Sequence, residues 1–415
     1  MQIEILGSGR EIGGSGILII DKNTNIVLDY GLRVHTTPPS HPLPTQDVNA
    51  VFLSHAHIDH SGSIPMLYKK ESPPLFTNDI TLDSINLLIK DSIKIAKREK
   101  YELGFGKKEL KKMNSNAHLL DYNEPVKIND FKCRLLDAGH IPGSAGIFIE
   151  HSSGKRIFYT GDIKLETSKL LNGCKLPGKT DILITESTYS SNDHPKREIE
   201  ERNIMKQLEE GLGLNETILI PVFALGRSQE VLLILEKYAE KIAFDGMAKD
   251  ASQIVMKYRH YIRDADKLEK ILNTVNWVNS TEERESVINK YPIIVTTAAM
   301  VSGGPILYYL RQLKNSPETK ILFVGFLVED SPGRILLDTG FFKKAEEKYK
   351  VHCDIHKYDL SSHAGRSELF QIIETTKPSK VICIHGDECE PFADDIARKF
   401  NIDARAPKNG DVIEV

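Results

Sequence analysis

One six-residue stretch, His55-Ala56-His57-Ile58-Asp59-His60, constrains this chain more than any other. It places three imidazoles and a carboxylate directly after an apolar run at 50–53, which predicts a short buried strand. Alternate side chains of an extended segment point the same way, so His55 and His57 can reach one metal ion, and a following turn can aim Asp59 and His60 at a second. Histidine and carboxylate ligands without cysteine favour a catalytic zinc over a structural one. The alternative, a polar loop that is rich in histidine by chance, fits poorly with 14 histidines in 415 residues.

Other residues of the metal-binding or acid-base type follow predicted apolar strands in the same way. Each case taken alone is weak, because an aspartate such as Asp29 is also a common turn former. Together they predict a site built along one edge of a stack of sheets, where a further carboxylate could orient a ligand. The residues at predicted strand ends are Asp29, His140, Asp162, Glu186 and, near the end of the chain, His385; His363 precedes a predicted helix.

The bulk properties describe an ordinary globular protein. A length of 415 residues predicts two domains, and 40% hydrophobic with 27% charged residues is a typical composition. No apolar run is long enough for a membrane span, and the start has no basic region of the kind that opens a signal peptide. The five cysteines form no CxxC pair, which predicts reduced thiols in a cytoplasmic protein. The net charge of −4 neither indicates nor excludes nucleic-acid binding.

Two local features admit more than one interpretation. The glycine-rich segment 7–16 resembles a dinucleotide-binding loop, but another predicted strand follows it where that motif needs a helix, so we reject that function. The predicted helical region 81–112 carries nine lysines and arginines between 90 and 112 against four acidic residues. A solvated helical face and an RNA-facing surface both remain open for it.

The pattern changes at about residue 190, where predicted strands and helices begin to alternate. This alternation predicts a second domain with a parallel sheet. Gly226 and the pair Gly303-Gly304 open predicted helices, where backbone N–H groups could receive phosphate oxygens. Ordinary glycines of strand-to-helix loops are the alternative.

Taken together, these residues resemble the metallo-β-lactamase superfamily and, within it, the β-CASP nucleases. Residues Asp29, 55–60, His140 and Asp162 match the four superfamily motifs, and Glu186, His363 and His385 match β-CASP motifs A, B and C. The resemblance implies an α/β fold in which an αββα sandwich, residues 1–190 and 362–415, carries an inserted parallel α/β domain, residues 191–361. Segments 6–13, 221–230 and 324–334 are similar to the mRNA 3′-end cleavage endonuclease of the polyadenylation complex, in a short archaeal or bacterial form without KH domains.

The resemblance also implies a role for each site residue. One zinc would bind His55, His57 and His140, and the other would bind Asp59, His60 and His385. Asp162 would bridge them, and Asp29 would orient a ligand. His363 would protonate the leaving oxygen and Glu186 would hold it in place, so the expected catalytic residues are Asp59, Asp162, Glu186 and His363. Candidate RNA contacts are Arg227, Ser302, Gly303 and Arg334.

The expected function is a zinc-dependent ribonuclease of RNA 3′-end processing or decay. Hydroxide activated by two zinc ions would cleave single-stranded RNA and leave 5′-phosphate and 3′-hydroxyl ends. A homodimer or a complex with other RNA-processing subunits is compatible with the resemblance, as are endonuclease and 5′→3′ exonuclease activities. A DNA-processing β-CASP nuclease, a small-molecule hydrolase of the same fold and an inactive scaffold are the alternatives. His385 favours RNA over DNA, since the DNA-processing branch tends to have an apolar residue there.

Overall fold

A computed structural model of the chain describes residues 1–34, 36 and 38–415. These residues form two compact units. Unit one contains 1–167, 172–193 and 362–415, and unit two contains 168–171 and 194–361. The domain limits predicted from the sequence fall after residues 190 and 361, and no sequence signal marked 168–171 as part of the second unit.

In residues 1–193 the secondary structure begins with strands and then alternates with helices. The strands are β1 (Gln2–Gly7), β2 (Gly16–Asp21), β3 (Thr24–Tyr30), β4 (Ala50–Phe52), β5 (Leu75–Thr77), β6 (Ala117–Leu119), β7 (Val126–Ile128), β8 (Phe131–Asp137), β9 (Ala145–His151), β10 (Arg156–Tyr159) and β11 (Ile182–Glu186). The helices are α1 (Ile58–Ser61), α2 (Ile64–Leu67), α3 (Asp79–Glu99) and α4 (Lys107–Ser115).

In residues 194–361 helices and strands alternate. The helices are α5 (Arg197–Gly213), α6 (Arg227–Ile234), α7 (Ala248–Lys257), α8 (Ala265–Thr274), α9 (Thr281–Lys290), α10 (Ile306–Leu313) and α11 (Pro332–Thr339), with 3-10 turns at Glu236–Lys241 and Arg259–Tyr261. The strands are β12 (Thr217–Pro221), β13 (Ile242–Asp245), β14 (Asn276–Trp277), β15 (Ile293–Thr296), β16 (Thr319–Val324), β17 (Phe341–Lys344), β18 (Glu347–Lys350) and β19 (Asp354–Tyr358). The last part of the chain adds α12 (Arg366–Thr376), β20 (Lys380–Ile384), α13 (Cys389–Phe400), β21 (Asp403–Arg405) and β22 (Val412–Glu414).

Unit one is built on two sheets that pack face to face. Their strand orders are β22-β1-β2-β3-β4-β5-β6 and β21-β20-β11-β10-β9-β8-β7. Successive side chains of a strand alternate between faces, and the burial pattern follows this rule. Ile182 and Ile184 of β11 join the core between the sheets, whereas Leu183 packs on the opposite face with residues of α12 and α13. Helices therefore cover the outer face of this sheet, as in an αββα sandwich.

The parallel pairs of unit one bring the polar strand ends together. In the first sheet β3 runs parallel to β4, with Leu28 opposite Phe52, so Asp29 and the segment beginning at His55 leave the same edge. In the second sheet β10, β11 and β20 are parallel, and Glu186 lies opposite Ile384. Glu186 ends β11, and Asp162 and His385 follow the neighbouring strands β10 and β20, so all three lie at one edge, as the strand-end pattern predicted.

Unit two contains a parallel sheet in the order β14-β13-β15-β12-β16-β19. Its central strands are buried on both faces, which explains the nearly continuous apolar runs at 218–222 and 293–295. The parallel sheet confirms the α/β pattern predicted after residue 190. The apolar pattern after Gly226 predicts a helix over 227–238, whereas α6 ends at Ile234 and a 3-10 turn follows. Across the described part of the chain, no helix is both long and apolar enough to cross a membrane.

Candidate metal centre

The HxHxDH stretch lies at the carboxyl end of β4, and it turns into α1 within the motif itself. His57 caps the N-terminal end of α1, and Asp59 and His60 lie in its first turn. The extended part therefore carries His55 and His57, and the helical part aims Asp59 and His60 in another direction. The sequence predicted a turn that redirects Asp59 and His60; in the structure a helix that begins at Ile58 makes this turn.

Asp29 is fully buried and accepts four hydrogen bonds. Its Oδ1 accepts from the Ser54 backbone N–H at 2.7 Å. Its Oδ2 accepts from the Ser54 hydroxyl at 2.6 Å, from His60 Nδ1 at 2.8 Å and from the Tyr159 hydroxyl at 2.7 Å. A carboxylate that holds the far ring nitrogen of a histidine fixes the ring and its tautomer. Asp29 therefore orients His60, whereas the roles of Ser54 and Tyr159 carried no sequence signal.

Several histidines use Nδ1 as the hydrogen-bond donor, which leaves the other ring nitrogen, Nε2, on the side of Asp162. A carboxylate or carbonyl only accepts, so His60 Nδ1 must donate to Asp29 and His140 Nδ1 must donate to the Ser362 carbonyl, at 2.9 Å. The Ser54 hydroxyl donates to Asp29, so it accepts from His55 Nδ1, at 3.0 Å. A lone pair at Nε2 is what a metal ligand requires.

Asp162 lies between the two sets of histidines, with one carboxylate oxygen facing each. Its Oδ2 is 3.4 Å from His55 Nε2 and 3.5 Å from His140 Nε2. Its Oδ1 is 3.2 Å from His60 Nε2 and 3.7 Å from His385 Nδ1. His385 Nε2 in turn is 3.3 Å from Asp59 Oδ2, and His57 Nδ1 is 3.1 Å from His140 Nε2.

This arrangement fits a pair of metal ions. Within the described residues, His55 Nε2 and Asp162 Oδ1 are buried without a hydrogen-bond partner, which costs free energy unless each of these atoms binds a cation. Two groups converge closely enough to share an ion, namely His55, His57, His140 and Asp162, and Asp59, His60 and His385. Imidazole and carboxylate donors of this kind suit zinc.

The electrostatics divide the histidines of the cluster into two kinds. Burial disfavours the charged form of His60, but the nearby carboxylates, Asp162 first among them, outweigh it and raise its pKa well above the usual range, so this ring must release a proton when a metal ion binds. Burial lowers the pKa of His57 to about 4 and holds the pKa values of His55 and His140 well below their usual range. Burial alone would raise the pKa of Asp162, but the surrounding histidines, His60 first among them, hold it well below its ordinary value. The carboxylate is therefore ionised, and these three imidazoles are neutral.

His363 lies at the rim of the cluster and differs from the other histidines. Its Nδ1 donates to Glu186 Oε2 at 2.9 Å, and Glu186 Oε1 accepts from the Ile163 backbone N–H at 2.8 Å. Burial by itself would lower the pKa of His363, but the carboxylates of Glu186 and Asp162 outweigh it and raise the pKa to about 9. His363 is therefore protonated at neutral pH.

The glycine-rich loop between β1 and β2 supports the centre, a role that its sequence did not reveal. The Ser15 backbone N–H donates to the Asp59 carbonyl at 2.8 Å, and the Ser8 carbonyl accepts from the His385 backbone N–H at 2.8 Å. Gly31 lies against the same turn, since a Cβ there would come within 1.7 Å of the Asp59 carbonyl oxygen. Glycine allows such close backbone packing because it has no Cβ. The repeated glycines of a loop that no helix follows were therefore the sequence signal that could have predicted this packing.

The predicted RNA contacts lie in unit two. The Ser302 side chain is exposed, and a Cβ on Gly303 would meet nothing within 4 Å. The loop that contains Ser302 and Gly303 contacts the start of α11, where the Gly333 backbone N–H donates to the Met300 carbonyl at 2.8 Å. Arg334 is half-buried and pairs with Asp338 at 2.6 Å, whereas Arg227 is only 9% exposed. These contacts with RNA stay predictions.

Comparison with known families matches three consecutive parts of the chain. Residues 1–192 match the model of the anti-Pycsar protein Apyc1, residues 228–336 match the β-CASP domain, and residues 348–407 match the Zn-dependent metallo-hydrolase RNA specificity domain. A crystal structure of a protein of unknown function from Enterococcus faecalis V583 has the same fold, with a TM-score of 0.61 at 16% identity over 99% of both chains. The fold and the centre together define a zinc-dependent metallo-hydrolase of the metallo-β-lactamase type.

Relatives that match over the whole of this chain show to which family within this class it belongs. The chain is 36% identical to the probable RNase MJ4 of Methanocaldococcus jannaschii over 100% of both chains. It is 32% identical to RNase aCSPSF2 of Saccharolobus solfataricus, over 100% of this chain and 85% of the relative. It is also 32% identical to the transcription termination factor FttA of M. jannaschii, over 100% of this chain and 72% of the relative. The chain therefore belongs to the β-CASP ribonucleases of the metallo-β-lactamase superfamily, which confirms the predicted family, fold and enzyme class.

Proposed function

We propose that the chain is a ribonuclease that uses two zinc ions to hydrolyse phosphodiester bonds of single-stranded RNA. One ion would be held by His55, His57 and His140, and the other by Asp59, His60 and His385, with Asp162 binding both. The observation that carries this assignment is the position of Asp162, whose two oxygens face different histidine sets. A single-ion site would leave one of these oxygens buried and unused.

The bound zinc ions would lower the pKa of a water molecule between them and neutralise charge on the scissile phosphate. The protein's own residues have separate tasks. Asp29 and Ser54 accept from Nδ1 of His60 and His55, so that Nε2 of each ring would face a bound ion. Asp162 and Asp59 supply negative charge that offsets the two cations. Asp162 is buried away from bulk water, which strengthens its interactions.

His363 is the proposed general acid. It carries a proton at neutral pH and lies at the rim of the cluster, and its Nδ1 is engaged by Glu186. Its other nitrogen, Nε2, would protonate the 3′ oxygen as it leaves, so the products would carry 5′-phosphate and 3′-hydroxyl ends. RNA as substrate is supported by the relatives named as RNases and by the RNA specificity domain that residues 348–407 match. Endonuclease or 5′→3′ exonuclease activity, a homodimer, partner subunits and a cytoplasmic location stay predictions.

The test is hydrolysis of 5′-labelled RNA bearing either a monophosphate or a triphosphate, with single-stranded DNA of the same sequence as the comparison. We expect cleavage of RNA that EDTA abolishes and zinc restores, with two zinc ions per chain by elemental analysis. Internal fragments indicate an endonuclease, and mononucleotides released only from monophosphate ends indicate an exonuclease. The Asp162→Ala variant should lose both activity and metal. A variant that retains two zinc ions would contradict the shared-ligand role, and preferential cleavage of DNA would contradict the substrate.

A further inference from the structure

A strongly basic face on α3 and α4 has no part in the candidate metal centre. Residues 90–112 contain nine basic and four acidic residues, although the whole chain carries a net charge of −4. The lysines and arginines at 90, 94, 97, 98, 100, 107, 108 and 111 are all exposed. The exception is Lys112, whose Nζ donates to the Tyr68 and Glu71 carbonyls and so has a local structural role.

The positions of these residues concentrate the charge in a stripe. Lys90, Lys94 and Lys97 follow the i, i+4, i+7 spacing and so lie on one side of α3, over about 10 Å of helix length. Arg98 pairs with Glu99 at 3.1 Å, whereas no carboxylate of the described residues forms an ion pair with these three lysines. On α4, Lys107, Lys108 and Lys111 continue the basic face. A solvated helix with mixed charge would pair more of its cations internally.

The surroundings of the stripe select the kind of partner. In the described residues of α3 and α4 no large apolar side chain is exposed, which disfavours membrane insertion and an apolar protein interface. An open cavity of about 480 Å³ at the end of α3 is lined by Lys69, Lys97 and one carboxylate, Glu102, together with Tyr101 and Phe105. Cations beside aromatic side chains are the combination that proteins use to hold single-stranded nucleic acid.

The same surface is packed onto the segment that carries the metal-type residues. Ala96 and Leu103 form a small apolar cluster with Leu32, and Ile58 packs against that cluster. Ile58 lies between His57 and Asp59. The basic face and the candidate centre are therefore parts of one packed unit, so that RNA held on the face is tethered to the unit that would cut it.

We infer that the α3–α4 face is a second RNA-binding surface, which holds the phosphodiester backbone of single-stranded RNA outside the metal centre. The inference rests on the proposed function for the identity of the polyanion. Flexible lysine stems suit sequence-independent contacts with phosphates, which displace counterions and make binding depend steeply on salt. Longer RNAs gain affinity from this surface, and very short ones do not reach it.

The test compares two triple variants of the full chain in EDTA, so that binding is measured without cleavage. Lys90→Gln, Lys94→Gln and Lys97→Gln remove the stripe. The matched control, Lys127→Gln, Lys132→Gln and Lys179→Gln, removes three exposed lysines elsewhere in unit one. The dissociation constant of a fluorescent single-stranded RNA of about 30 nucleotides is measured over a salt series. We expect the slope of log Kd against log salt concentration to be smaller by about 2 in the stripe variant, because each lost phosphate contact lowers it by roughly 0.7. The slope of the control variant should match that of the wild type.

Other outcomes separate the surface from the reaction. An unchanged slope in the stripe variant, or an equal loss in the control, overturns the inference. Polyglutamate is a second probe, which represents an acidic protein. If the stripe variant loses polyglutamate binding and still binds RNA like the wild type, the inference is overturned, because the partner is then an acidic protein. A stripe variant that binds long RNA weakly but cleaves a trinucleotide at the wild-type rate supports it. If the wild type binds RNA through the stripe and cleaves none with zinc present, the surface stands and the proposed function fails.

Discussion

His363 and Glu186 form a hydrogen-bonded pair beside the candidate metal ligands, and their charges predict how activity depends on pH. A general acid acts in its protonated form, so activity falls as pH rises through the pKa of His363, about 9. Glu186→Gln removes the largest charge that raises this pKa, and burial then lowers it. We expect the alkaline limb of kcat to move to lower pH by about 1–3 units, measured with zinc-loaded protein.

Substitution of the acid itself provides the companion measurement. His363→Ala should lower kcat by about 10²–10⁴-fold and leave the zinc content at the wild-type value. His118→Ala is the matched control, since His118 is exposed on β6 in the same unit. Loss of zinc from the His363→Ala variant would show that His363 is a metal ligand. An alkaline limb that does not move in the Glu186→Gln variant would show that Glu186 does not set the pKa of the general acid.

Asp29 offers a second test at the residue scale, because it acts on the centre through its neighbours. Asp29 has a positive φ of 56°, a conformation that asparagine also tolerates, so Asp29→Asn preserves the backbone. The amide replaces one accepting oxygen by a donor, which breaks the bonds from His60 or Ser54. We expect zinc affinity to fall by about 10–100-fold in competition with a chelator, with the circular dichroism spectrum unchanged. Wild-type affinity would show that these hydrogen bonds do not orient the ligands.

At the scale of elements, the start of α1 is fixed by backbone packing against Gly31. An alanine Cβ at 31 would lie 1.7 Å from the Asp59 carbonyl oxygen, so the turn that carries Asp59 and His60 must move. We expect Gly31→Ala to lose cleavage and to bind fewer zinc ions per chain. Gly178→Ala is the matched control, because a Cβ there meets nothing within 4 Å. Equal activity of the two variants would show that the turn adapts.

The same elements show how far the sequence alone could go. Asp29, Asp162 and His385 were found because each follows an apolar strand, and parallel strands bring such ends to one edge. The partners of Asp29 were not predicted, since Tyr159 lies 130 residues away and only tertiary packing joins them. The alternation predicted after residue 190 did not locate the individual helices α8 and α9 in 265–290. Local periodicity finds strand ends; it does not determine which residues meet across the sandwich.

At the scale of the whole molecule, the candidate centre joins segments that are distant in the chain. His385 follows unit two, whereas His55 precedes it by more than a hundred residues. Zinc that binds all of these segments stabilises them together, because a ligand that binds only the folded centre adds about 2.7 kcal/mol at 100 times its Kd. We therefore expect zinc to slow amide exchange by up to about 100-fold in 50–60, 135–140, 159–163 and 381–386 alike.

Hydrogen-exchange mass spectrometry of the zinc-loaded and EDTA-treated protein measures this coupling. The buried strands β12 and β15 of unit two provide the internal reference, because they contain no candidate ligand and should exchange at the same rate in both states. Asp162→Ala should show no zinc effect in any segment, since it removes the carboxylate that faces both histidine sets. Protection confined to 50–60 would contradict a centre that includes His385, because a site built by the HxHxDH stretch alone leaves the C-terminal strand end unconstrained.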